Sequence, residues 1–383
     1  MSARAWLGAA IALLAGMAAG CNPGSGRNPA PVFAEVVPGL AYAQLVSTNE
    51  PWSIHIARLE LGRREFRLAT SLANQVVEDT ATVPEQALAT ASDQARPVLA
   101  VNGDYFDLRP GPHYGDPRGV QIRDGELVSF ATAPAFWVDA AGQPHIGEVS
   151  ARARVTWPDG STSPFELNGP VRSNVPSLFT PTFAARTRAI NAMRLLLEPV
   201  GADAWPPVRA NQTFAARVRE IHPAGGTAIT PGLLVLAADA AFCSQALRVH
   251  PGDRLSFATD LTPFLGTAPT ALGGWPILVS PEKSLAWKTK PGKLDSRHPR
   301  TAIGFNDRYL FLVVVDGRQP SLSAGMTFVE LASLMRRLGC TEALNLDGGG
   351  SSTFWLDGVV MNSPSDFFLR PVANALVVLR EKP

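Results

Sequence analysis

Three cysteines in 383 residues are too few to staple a fold of this length, so its stability has to come from apolar burial rather than from a disulfide framework. Net charge is nearly absent as well. Lys and Arg number 34 against 33 Asp and Glu, a net +1, which offers no chain-wide field for nucleic acid or an anionic membrane surface. No apolar run reaches the roughly 20 residues that a bilayer-spanning helix needs. No CxxC or paired Cys/His spacing of the zinc-binding kind occurs. Turn formers are plentiful, with 33 glycines and 33 prolines, which suits a loop-rich fold of many short strands. Hydrophobic residues at 46% and charged residues at 17% describe an ordinary globular core. The length fits one large domain or two intimate subdomains.

The N-terminus reads as a targeting segment. Arg4 is a short positive region, Ala5 to Ala19 are apolar, and Ala18-Ala19-Gly20-Cys21 follows. The pattern resembles a bacterial lipoprotein signal over 1–21, with Cys21 as the lipidated residue. On this reading the protein is exported and membrane-anchored, facing the periplasm or cell exterior, and touches the membrane only through its lipid. Residues 22–34, rich in Gly, Pro, Asn and Ser, form a flexible tether. Residues 35–383 are the functional domain, divided into N-terminal strands and a helix (35–97) and a catalytic region (98–383). Cys243 and Cys340 either pair in an oxidising compartment or remain two buried thiols.

Apolar alternation from Val36 to Leu68 predicts half-buried strands. Thr82-Val83-Pro84-Glu85 starts a helix with a capping box, running to about Ala95. A buried strand, Val98 to Val101, then ends in Asn102-Gly103-Asp104. Between 108 and 260 short strands alternate with turns, and Asp124-Gly125 marks a hairpin. Gly273-Gly274 inside an apolar run indicates a bulge or a close backbone approach. Arg297, His298 and Arg300 cluster as an anion site, since guanidinium forks match phosphate oxygens.

The last hundred residues carry the clearest pattern. A buried strand, Tyr309 to Val315, ends in Asp316-Gly317-Arg318. A helix follows, capped by Thr327 and Glu330 and stopped by Gly339. The strand Glu342 to Leu346 then enters Asp347-Gly348-Gly349-Gly350-Ser351. A strand–helix–strand unit of this kind runs parallel, which puts Asp316 and Asp347 on one sheet edge facing a shared crevice. The expected class is therefore α+β, a mixed β-sheet core with a few packed helices including this C-terminal unit.

LVVVDGR, GMTFVELASLMRRLG and ALNLDGGGSSTF together resemble the phosphodiester glycosidase family. VNGDYF, GGWPILV, RHPRTAIGF, NSPSD and RPVANALVV match in type and order, so the likeness runs from about Val98 to Leu379. The resemblance implies hydrolysis of a sugar-1-phosphodiester, in a phosphodiester-linked glycan or glycoconjugate, to free sugar and phosphomonoester. It implies Asp347 as nucleophile or general base, Asp316 as second carboxylate and Arg300 as the phosphate-holding cation. Arg297, His298 and Arg318 support Arg300. Asn102 and Asn345 bind sugar hydroxyls, and the amides of Gly348 to Gly350 meet phosphate oxygens, with Asp104, Ser351, Gly273 and Gly274 also at the substrate. No cofactor is obligatory on this reading. A divalent cation held by Asp347, Asp316 and Asn345 stays open, because no ligand spacing demands one. The competing reading is a non-catalytic glycan-binding or exopolysaccharide-assembly protein on the same fold.

Overall fold

The computed structural model describes residues 30–47, 51–109, 114–188, 192–200, 207–223, 225–239, 243–281 and 296–382. The signal segment, Cys21 and most of the tether lie outside the described residues.

The chain forms three β-sheets, and the expected α+β class does not hold. Strand accounts for 47% of the structure and helix for 8%, so sheets rather than helices make the layers. Among the described residues there are two α-helices, Val83–Ala89 and Phe328–Arg337. The sheets are not mixed in the expected sense either. Tyr309–Val315 and Glu342–Asn345 do run parallel, but Arg300–Phe305 lies between them and pairs antiparallel with both. Among the described residues the one parallel ladder joins Glu166–Leu167 to Ser177–Phe179. A strand contributed from earlier in the chain thus separated the two that local order suggested as neighbours.

The seven-stranded sheet runs Ala34–Val37, Leu40–Ser47, Trp52–Glu60, Tyr309–Val315, Arg300–Phe305, Glu342–Asn345, Ile277–Val279. The five-stranded sheet runs Val359–Val360, Phe354–Leu356, Ala95–Asn102, Asn374–Glu381, Phe66–Leu72. Their inner faces share one core, with Leu59, Leu312, Val314 and Leu344 meeting Leu99, Val101, Leu376 and Phe354. Each such side chain contributes about 1.5–3 kcal/mol when fully buried. The outer face of the larger sheet is covered by Phe328, Leu331 and Met335 of the second helix. That of the smaller is covered by Val83 and Ala87 of the first.

Both helices start at the capping boxes read from the sequence, Thr82 with Glu85 and Thr327 with Glu330. The first ends at Ala89 rather than near Ala95. The Ser92 hydroxyl accepts from the amides of Gln94 (3.2 Å) and Ala95 (3.0 Å), a local turn that competes with further helix.

The third sheet has twelve strands drawn from residues 121 to 273. Side chains from both ends of its strand order, Ile122 and Leu127 at one and Leu178 at the other, fall in a single core, so the sheet curls on itself. Asn168, just beyond one edge strand, donates its side-chain amide to the Val128 carbonyl on the opposite edge strand at 2.9 Å. The Asp124-Gly125 hairpin is present, with φ of 49° and 80°. Cys243 and Cys340 are free buried thiols in separate cores, and burial pushes the Cys340 thiol up to about 12. No helix among the described residues is long and apolar enough to cross a membrane.

Candidate active site

Asp347 leaves strand Glu342–Asn345 at the sheet edge where Ala95–Asn102 of the facing sheet also ends. Backbone bonds lock the two ends together. The Asp347 amide donates to the Gly103 carbonyl (3.0 Å), and the Asn102 side-chain amide donates to the Asp347 carbonyl (2.7 Å). Asn102 itself is fully buried, and its Oδ1 accepts from the Thr301 hydroxyl (2.7 Å) and the Thr353 amide (3.2 Å). It therefore positions the Asp347 loop rather than facing a ligand.

The Asp347 carboxylate is buried, which raises its pKa. The Ser351 hydroxyl and Gly348 amide oppose that rise, as do the charges of Arg370 and Arg118. Across from it stands Asp104. Burial pushes the Asp104 carboxyl up to about 7, against the amides of Tyr105 and Gly119, and the Asp347 charge adds to the rise. Asp104 Oδ1 accepts from the Tyr105 amide at 2.7 Å, whereas Oδ2 has no hydrogen-bond partner among the described residues. Such an orphaned buried oxygen is costly unless something outside the protein meets it. Two buried carboxyls, one of which feels the charge of the other, can divide into an acid and a base near neutral pH.

Glycine is required around this pair by close approach. A Cβ on Gly273 would run into Asp104 Oδ2 and would lie 2.7 Å from the Gly119 Cα, and one on Gly119 would meet the same carboxylate. A Cβ on Gly274 would sit 2.5 Å from the Asn345 carbonyl. The close backbone approach expected at Gly273-Gly274 is thus what occurs, and it seats Asp104. A crevice of about 320 Å³ opens here, lined by Asp104, Tyr105, Arg118 and Trp275. The Trp275 ring is 42% exposed at its mouth. Asn345 donates to the Tyr105 hydroxyl (2.9 Å) and the Trp275 carbonyl (2.8 Å), leaving its Oδ1 unpartnered among the described residues.

Guanidinium groups cover the glycine loop. Arg318 lies against Gly349, where a Cβ would come within 2.9 Å of its Nη2, and the Asp366–Arg370 pair lies against Gly350. Arg370 also reaches the Ser351 hydroxyl at 3.4 Å. Two of the loop amides are engaged internally, Gly348 N with Asp347 Oδ1 (2.8 Å) and Gly349 N with the Pro299 carbonyl (2.9 Å). Those two are not aimed at a ligand, and the cationic groups here are side chains. Arg300 is buried, donates to the Met326 (2.8 Å) and Ser296 (3.0 Å) carbonyls and stacks on Phe328 at 3.9 Å. Burial works against its charge, and Tyr105 nearby favours it. His298 contacts Arg318 at 3.4 Å, and burial followed by the charges of Arg300 and Arg318 lowers its pKa.

Two sequence candidates stand apart. Asp316 is 1% exposed and turned into the sandwich. Its Oδ2 lies 3.2 Å from His55 Nε2, and its Oδ1 accepts from Ser363 N (2.8 Å) and Asn362 Nδ2 (3.2 Å). His55 Nδ1 in turn pairs with the Tyr42 hydroxyl at 2.9 Å. Sharing a sheet edge did not bring the Asp316 carboxylate to Asp347, because its side chain points between the sheets. Arg297 pairs with Glu330 on the second helix and stacks on Trp52. Among the described residues no group of three or more His, Cys, Asp or Glu side chains gathers into a metal site.

Sequence reasoning assigned no role to Arg118, Tyr105, Trp275 or Arg370. Tyr105, Trp275 and Arg370 lay inside motifs already singled out, whereas Arg118 stood in a turn, where an isolated Arg carries no signal of its own.

Residues 208–379 match the family model described as phosphodiester glycosidase, so over that segment the chain is similar to this family. Particular relatives are partial matches. A prophage-derived uncharacterized protein, YomE, of Bacillus subtilis is 38% identical over 28% of this chain and 17% of its own length. The mouse N-acetylglucosamine-1-phosphodiester alpha-N-acetylglucosaminidase is 39% identical over 18% of this chain and 13% of its own. The chain thus spans under a fifth of each curated relative. Two solved structures share the fold: a protein from Synechocystis (TM-score 0.72, 19% identity, 92% of this chain and 64% of that one) and a protein from Burkholderia pseudomallei described as exported (TM-score 0.69, 22% identity, 86% and 74%). The family segment contains Asp347, Arg300, Arg318 and Arg370, while Asp104, Tyr105 and Arg118 precede it.

Proposed function

We propose that the chain hydrolyses a sugar-1-phosphodiester to free sugar and phosphomonoester, with Asp104 and Asp347 acting at the anomeric carbon. The observation that carries this is the unpartnered, buried Asp104 Oδ2 beside an Asp347 loop that guanidinium groups cover. In the reaction the bond from C1 to the phosphate oxygen breaks and its electron pair leaves with that oxygen. A water oxygen bonds to C1, and its proton passes to a carboxylate. The leaving group is already the anion of a strong acid and needs little protonation. Arg318, Arg370 and Arg118 would stabilise its charge. Asp347, held by Ser351 and Gly348, is assigned nucleophile or base. Asp104 takes the second-carboxylate role in place of Asp316. The exposed Trp275 face suits the apolar side of a sugar ring.

Hydrolysis in ¹⁸O-water tests this. Label in the released sugar is the expected result. Label in the phosphate would mean cleavage at phosphorus and overturn the reading, and retention of the compound without any release would favour a glycan-binding protein. Export with a lipid on Cys21, preceding one domain over 35–383, is proposed on the N-terminal pattern and on the description of the Burkholderia neighbour. Fatty-acid labelling that survives Cys21→Ser would remove the anchor.

A further inference from the structure

The loop that carries Arg370 has a feature the reaction does not use. Phe367 is 93% exposed and Phe368 62%, two adjacent aromatic side chains left in solvent. Phe367 is also held at φ 63°, a left-handed backbone that disfavours a bulky side chain. No packing offsets that cost. An outlier of this kind at an exposed position points to a contact made outside the free chain.

The place of this pair in the fold indicates which contact. Asp366 and Arg370 bracket it, joined at 2.7 Å, and both lie against Gly350 of the Asp347 loop. Arg370 reaches Ser351 at 3.4 Å, and Ser351 bonds Asp347. On the other flank the Gln319 side chain and Ser363 exchange two hydrogen bonds of 2.9 Å. These tie the loop to the turn that holds Arg318 and a further exposed apolar side chain, Leu322. From Asp347 outward, the surface therefore changes from carboxylate to guanidinium to exposed aromatic. A sugar-1-phosphodiester has the same order: anomeric carbon, anionic phosphate, organic group beyond.

We propose that Phe367 and Phe368 form the site for the leaving group's organic portion, and that this portion is a hydrocarbon chain. The inference rests on the hydrolase reading above and names the substrate class of the same site. Charge complementarity fixes its direction, because Arg318 and Arg370 are placed for the phosphate between the two ends. A short alkyl group would stop before the aromatic pair, and a longer one would cover it and remove apolar surface from water.

Two measurements test it on the full chain. The first compares kcat/KM for glycosyl-1-phosphate esters of methanol and octanol, in wild type and in the F367S/F368S double variant. The expected result is an octyl preference in wild type and an octyl-to-methyl ratio about tenfold lower in the variant, a contact of this area being worth that much. An unchanged ratio overturns the proposal. The second measures binding of octyl phosphate and methyl phosphate by calorimetry, which needs no turnover. Wild type should bind octyl phosphate more tightly and the variant should not, whereas equal binding of the two by wild type overturns the proposal. If wild type releases no sugar from either ester, the hydrolase reading fails by itself, and the calorimetry still decides the hydrocarbon site. Capture by phosphatidylglycerol vesicles that the variant loses, without any octyl preference, would assign the aromatic pair to a lipid surface and overturn the proposal.

Discussion

Asp104 and Asp347 come from strands of two different sheets, yet the charge on Asp347 raises the proton affinity of Asp104. If these two carboxyls perform the reaction, Asp347→Asn and Asp104→Asn should each lower kcat by about two to four orders of magnitude, the range of a positioned acid or base. Circular dichroism should show the fold retained. Near-normal turnover in either variant removes that residue from the mechanism.

The same burial sets a pH dependence of stability. Asp104 sits at about 7 when folded and near 3.9 when unfolded, so the unfolded chain binds fewer protons between those values. Stability is then fully present below pH about 4 and falls as pH rises towards about 7, by up to about 1.4 kcal/mol per unit and about 4 kcal/mol in all. The raised pKa of Asp347 acts with the same sign. The gap between urea midpoints at pH 5 and pH 8 should narrow in Asp104→Asn, with the remainder carried by Asp347.

Asp316 is expected to behave in the opposite way. Its carboxylate meets His55, Asn362 and the Ser363 amide inside the sandwich. Asp316→Asn should cost about 1.5–3 kcal/mol of stability, the worth of hydrogen bonds to a charged group, while kcat stays within a few-fold. A collapse of kcat with an unchanged denaturation midpoint would return Asp316 to the reaction.

Gly273→Ala places a methyl group on Asp104 Oδ2 and against Gly119. Overpacking of this kind costs about 1–3 kcal/mol. The displaced carboxyl should also shift the pH–rate profile, so a variant with an unmoved profile would show that Gly273 does not seat the acid.

Local signals were legible and long-range ones were not. The capping boxes at Thr82 and Thr327, the Asp124-Gly125 hairpin and the close approach at Gly273-Gly274 all follow from chemistry within a few residues, and each is present. The strand order was hidden because Arg300–Phe305 separates Tyr309–Val315 from Glu342–Asn345, and no local pattern encodes that insertion. The misreading of Asp316 follows from the same gap. Strand sense placed it on the correct edge, but the direction of its side chain depends on His55, 261 residues away. Asp104 was on the page as a substrate-side residue, and its pairing with Asp347 needed the two sheets to be brought face to face.

The bond from Asp347 N to the Gly103 carbonyl has a kinetic meaning. It joins segments more than half the chain apart, and closing so long a loop is among the slower events available to a β-rich chain. The carboxyl pair therefore has no partial form, since Asp104 and Arg118 lie in one half of the sequence and Asp347, Arg318 and Arg370 in the other. A chain cut within its middle sheet before folding would leave Asp104 and Asp347 on separate pieces.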